Sequence, residues 1–218
     1  MSIEEEQAEF QSEESPLSEG ATQVTGLLAY SSLAAMTRLS KDGDQAPQFS
    51  YSVEHARMAA LAFREFRHLE KFSEVAGLDL EAAAGQFAGL FDELDQRTRP
   101  SNWWERSVKT YVTIGIFSDA LLELTLRHQL FVDAQWSGDF GQGVWERDHL
   151  APLTEADPQL VARLSLWSRR VAGEVFALLR ATLFSYPELA GDPDTVDAVV
   201  KVATDGHRAR LESVYLKA

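Results

Sequence analysis

Cysteine is missing from the chain. Disulfides, thiolate nucleophiles, iron–sulfur clusters and Cys-type zinc sites are thereby excluded, and a reducing compartment fits. No run approaches about 20 consecutive apolar residues, so no transmembrane helix and no membrane partner are expected. The first twenty residues hold seven Glu and no Lys or Arg. A signal peptide would be basic there, so export is not expected and a cytoplasmic location is the expectation. Sustained alternation of Val, Ile or Thr is absent, which removes strands from the reading. No P-loop, dinucleotide Gly motif, G-x-S-x-G elbow or His-Glu-x-x-His is present, and the kinase, dehydrogenase and serine-hydrolase classes fall away with them.

What remains is a chain of 218 residues, 45% hydrophobic, long enough for one sizeable core. Its net charge of −14 is uneven, since the seven leading glutamates leave −7 for the rest. A negative body repels phosphate, so general nucleic-acid binding is disfavoured. Residues 1–19, Glu-rich and nearly without apolar side chains, read as a disordered acidic leader. Residues 20–218 read as one helical domain. The expected helices cover 20–40, 51–76, 79–97, 102–131, 157–186 and 194–216. KDGDQAP at 41–47 is expected to be a loop, and Pro100 to break the third helix from the fourth. The Gly-rich stretch SGDFGQGVWERDHLAP yields no clear element. The class is all-α.

The central helix carries the most informative stripe. Met58, Leu61, Glu65, His68, Phe72 and Val75 recur at steps of three and four. Glu65 and His68 are thus expected on a buried face, where a bare charge is costly. Glu-x-x-His on an inward face is how ferritin-like bundles hold iron or manganese. Asp119 interrupts a second stripe, Val108–Val112–Gly115–Asp119. Glu174 and His207 interrupt two more. For His207 and Glu174, hydrogen bonding or ion pairing within the core is the simpler account. For Glu65, His68 and Asp119, an arginine-compensated polar network and a bound metal are both open. A second Glu-x-x-His, Glu146 with His149, lies between Gly143 and Pro152, which leaves little helix to aim both inward; chance accounts for it. Arg64, Arg67 and Lys71 share one helix face and read as solvated.

TRPSNWWERSVKTYVTIGIFSDALLEL, followed by LSLWSRRVAGEVFALLR, resembles the actinobacterial ferritin-like proteins related to MiaE, a tRNA-adenosine side-chain hydroxylase. The resemblance runs from about residue 24 to the C terminus. It implies a ferritin-like four-helix bundle with additional helices, able to hold two metals and activate dioxygen. It also implies a first-helix Glu within LLAYSSLAAMTRL, where Ser32 and Thr37 now stand, and no acid occurs between Glu19 and Asp42. The implied metal ligands that persist are Glu65, His68, Asp119 and Asp139. Gln142 stands where the last motif, an acid-x-x-His, would place imidazole.

A di-iron centre of this kind uses four carboxylates and two imidazoles. One carboxylate is gone and one imidazole is replaced, and neutral oxygen donors hold a divalent ion poorly. The expectation is a degenerate centre, empty or holding iron or manganese weakly, in a protein that acts by binding or assembly. The alternative is a di-iron hydroxylase or monooxygenase using Glu65, His68, Asp119 and Asp139. The tRNA substrate does not carry over, since fold does not fix function. No partner is named by the sequence, which leaves room for a homodimer. Deleting residues 1–16 is expected to leave the thermal unfolding midpoint unchanged. A drop of several degrees would show that the leader docks on the domain.

Overall fold

The computed structural model describes residues 17–131 and 138–218. These form helices and turns, with no strand among the described residues, as the periodicity predicts. Five long helices carry the architecture: α1 (Glu19–Asp44), α2 (Phe49–Ala76), α5 (Trp103–Arg127), α8 (Pro158–Ser185) and α9 (Pro193–Glu212). Four short ones fill the connections: α3 (Leu80–Gly85), α4 (Asp92–Arg97), α6 (Gln142–His149) and α7 (Ala151–Ala156). Helix α1 packs along α2 on one side and α5 on another, while α8 and α9 pack against α5.

Local chemistry sets most of the helix ends. The Ser18 side chain accepts from the Ala21 N–H and starts α1. Asn102 accepts from the Glu105 N–H at 3.0 Å, and Glu105 accepts in return from the Ser101 N–H at 2.7 Å. This reciprocal cap opens α5. Asp157 and Asp192 cap α8 and α9, each followed by a proline whose missing N–H costs nothing in the first turn. At the other end of α2, Gly77 takes the left-handed conformation (φ 64°), and the Leu78 N–H returns to the Ser73 carbonyl.

Several expectations are corrected. Residues 41–44 continue α1 by a full turn, with Asp42 and Gly43 buried, because Ser52 and His55 of α2 pack over Gly43. The 79–97 helix is two short helices joined by turns, so that Phe87 and Phe91 both reach the core. Helix α5 stops at Arg127 rather than 131, and α9 at Glu212 rather than 216. The unread Gly-rich stretch becomes α6 and α7. The buried stripe of α2 is rotated by one position: His55, Met58, Ala62, Glu65, Leu69 and Ser73 face inward, while Val75 and the His68 side chain face out. The small Ala59 and Ala62 are buried on that side in one cluster with Ala35 and Leu39 of α1. Residues 1–16, most of the expected leader, lie outside the described residues; Leu17 already packs against the core.

The two sequence runs singled out above are tied to each other. Trp167 Nε1 donates to the Glu105 carbonyl at 2.7 Å, Arg170 donates to the Arg97 carbonyl at 2.8 Å, and Arg97 pairs with Glu174 at 3.3 Å. The start of α5 is thereby latched to α8, and Glu174 has the ion-pair role expected of it.

Close backbone approach limits one glycine and leaves another free. A Cβ at Gly26 of α1 would fall inside contact distance of the Ala83 carbonyl, whereas one at Gly173 of α8 meets nothing within 4 Å. Gly26→Ala should therefore destabilise by about 1–3 kcal/mol through overpacking. Gly173→Ala should stabilise by about 0.4–1 kcal/mol, by restricting the unfolded chain. Denaturant midpoints moving in opposite directions would check both.

Candidate functional site

The four expected ligands do not meet. Glu65 is buried on α2, with His68 Nδ1 at 3.3 Å and Arg64 at 3.7 Å. His68 itself has a side chain 60% exposed, so its inward projection is corrected to a position at the surface, above Glu65. Asp119 receives both arms of the Arg210 guanidinium from α9, one of them at 3.0 Å. Gly115 and Gly206 clear the space for that pair: a Cβ at either would collide with Arg210 or with the Asp119 carboxylate. Asp139 accepts from the N–H groups of Gly141 (3.0 Å) and Gly143 (3.1 Å) and shapes the entry to α6. His207 is buried against Phe176, and burial followed by the nearby Arg210 charge lowers it to about 4, so it is neutral.

At the level where a first-helix carboxylate was expected, a void of about 20 Å³ lies between α1 and α5. Ser31, Ser32 and Thr113 line it, and their hydroxyls have no hydrogen-bond partner among the described residues. None of the four expected ligands lines this void, and Thr37 points instead to an outer cleft. Neutral hydroxyls and the Arg38 side chain around a space fit for about one water molecule do not fit a paired-metal centre of four carboxylates and two imidazoles. Among the described residues, no three His, Asp or Glu side chains form a group able to hold a metal ion.

Three buried ionisable groups gather elsewhere, where the end of α1, the start of α2, α5 and α6 meet. Glu146 on α6 is fully buried and accepts from the Ser107 hydroxyl at 2.5 Å; its second oxygen has no partner among the described residues. Burial pushes its carboxyl up to about 8, and the neighbouring Asp42 adds to that. Asp42 is buried too, and burial raises it to about 6 against the pull of Thr110 and Arg106. His55 hydrogen-bonds the Tyr51 carbonyl through Nδ1 at 2.8 Å and is driven toward neutrality by burial. An aromatic cage closes over it, with Trp145 at 4.6 Å and Trp103 at 5.6 Å between ring centres. Gln142 is buried alongside on α6.

Sequence reasoning missed Asp42, His55 and Glu146. His55 does sit on the rotated stripe, three residues before Met58, and that spacing was a usable signal. Asp42 was hidden by the Gly and Asp around it, and Glu146 by the shortness of α6.

Asp42 also forms part of the wall of a cleft of about 560 Å³ between α1, α4 and α5. Arg38 and Lys41 enter it from α1, Arg106 and Lys109 from α5, and Arg99 from the intervening turn. Asp95 bridges Arg38 (2.8 Å) and Lys109 (2.7 Å). Burial pushes the Asp95 carboxyl up, but these two cations outweigh it and hold it below its ordinary value.

Comparison with known proteins gives one family. Its model, described as a ferritin-like domain of actinomycetes, matches residues 17–189. No curated protein matches the chain.

Glu146 makes stability depend on pH. Its folded value of about 8 lies above the ordinary 4.5, so between those values the folded state keeps a proton that the unfolded chain has lost. Stability contributed this way is present below 4.5 and is lost as pH rises toward 8. Glu146→Gln keeps the oxygen that Ser107 contacts and removes the titration. Its unfolding midpoint at pH 8 should exceed the parent's by roughly 5 °C, with little difference at pH 4.5. A parallel pH dependence in both proteins would contradict the burial of an ionisable acid here.

Proposed function

The chain belongs to the family of actinomycete ferritin-like domains, and from that premise we propose a bundle with a degenerate metal centre, empty or weakly loaded, that acts by binding. The supporting observation is the commitment of the expected ligands. Asp119 is paired with Arg210 and Asp139 with two backbone N–H groups. An arginine-paired carboxylate must break a charge-assisted, two-armed contact before it can ligate a cation. A cytoplasmic location is part of the proposal and rests on the missing cysteine. The competing reading, a metal-dependent hydroxylase resembling MiaE, draws on buried Glu65 beside His68.

Elemental analysis of purified, unchelated protein separates the two. Well under one iron or manganese per chain is expected, and chelator should leave the unfolding midpoint in place, since metal bound only to the folded state would raise it by mass action. Stoichiometric metal in the parent, lost in Glu65→Gln and His68→Ala, would overturn the proposal in favour of the hydroxylase.

A further inference from the structure

We propose that the cleft between α1, α4 and α5 binds a small organic anion built on a flat ring, an aryl phosphate or aryl carboxylate; this rests on the binding function proposed above and gives it a site.

The charge pattern is the first observation. In a chain of net charge −14, this one concavity is lined by five cations against three carboxylates. Arg38 and Lys41 lie three residues apart on α1, as do Arg106 and Lys109 on α5, so each pair projects from one face of its helix into the cleft. The Asp95 carboxylate, held between Arg38 and Lys109, shows that side chains from both helices can close on one anionic group.

Further cationic capacity remains unspent. Lys41 and Arg99 have no ion pair among the described residues, and Arg106 reaches Asp42 only at 3.6 Å. Lys109 is 8% exposed, and burial, with Arg38 and Arg106 close by, weakens its hold on a proton. An incoming anion relieves that crowding of like charge, in a setting where solvent screens it less than at an open surface. Arg106 presents a planar fork suited to phosphate or carboxylate.

Part of the lining is apolar and adjoins the cations, with the Arg38 guanidinium 5.0 Å over the Phe91 ring. Tyr30 stacks on Phe91 with ring centres 5.9 Å apart and planes 12° apart, and Leu33 and Pro100 extend the surface. A ring laid there keeps its anionic group among the cations. The volume of about 560 Å³ lies within the roughly 300–1,000 Å³ of small-molecule sites. Beyond the cleft the negative body repels an extended polyanion, so the occupant is small.

The test is calorimetric titration of 1-naphthyl phosphate into the full chain in the presence of chelator. One saturable site is expected, with Kd of about 10–500 µM, weakening as salt rises. Inorganic phosphate and 1-naphthol should each bind at least about tenfold more weakly, since each lacks one half of the match. Lys41→Gln with Arg106→Gln should weaken binding about tenfold or more. Should that double variant fail to fold by circular dichroism, the exposed Lys41→Gln alone should give about a threefold loss. Arg67→Gln, on the outer face of α2, should change nothing. Equal affinity for inorganic phosphate, equal affinity for 1-naphthol, or unaltered binding in the Lys41 variant would each overturn the proposal. Absent binding in a metal-free protein would overturn this site and leave the proposed function standing; stoichiometric metal with intact binding would do the reverse.

Discussion

From Ser107 to Phe117, every residue of α5 is buried, three full turns with no solvent face. A helix enclosed to that degree has to be surrounded, and α1, α8 and α9 do so. Apart from Thr113, its polar side chains then turn to partners on the elements packed around it. Ser107 donates to Glu146, Lys109 pairs with Asp95, and the Tyr111 hydroxyl donates to the Arg210 carbonyl. These contacts reach α4, α6 and α9 and set where each lies around α5. The latch from Trp167 and Arg170 to residues 97–105 fixes the entry of the same helix.

Three interior or helix-entry carboxylates are satisfied in three different ways. Asp119 has a guanidinium, Asp139 has two backbone N–H groups, and Glu146 keeps a proton because burial penalises its charged form. Each solution is local and uses what the chain itself supplies. The protonated acid leaves a mark on stability as a function of pH. Glu65 is the remaining case: buried, with His68 and Arg64 at its rim, it has compensation from the solvent side.

Polar chemistry is therefore displaced from the middle of the bundle toward one end. Between α1 and α5 at Ser32 a small void is lined by hydroxyls, apolar side chains and Arg38, with no carboxylate or imidazole, while Asp42, Glu146 and His55 gather where the α1–α2 connection meets α6. Asp42 faces both this buried cluster and the cationic cleft. The interior acids and the outer cations are thus parts of one continuous polar region, held by Arg106 and Thr110 on α5.

Periodicity alone determined the all-α class, the five long helices and most of their ends, because a buried face repeats every three to four residues and caps use few residue types. The runs around Trp103–Arg106 and Trp167–Glu174 were enough to point to the fold family. The sequence also showed that no acid stands between Glu19 and Asp42. Tertiary structure alone decided the rotation of α2, which turned His68 outward, because two alanines and a histidine can be buried as readily as the larger side chains beside them. It alone decided that Asp119 belongs to Arg210, 91 residues away, since nothing local marks an ion pair between distant helices. And it alone made Asp42 and Glu146 interior, because a helix extended by one turn and another of eight residues acquire their burial from the aromatic and helical surfaces packed over them.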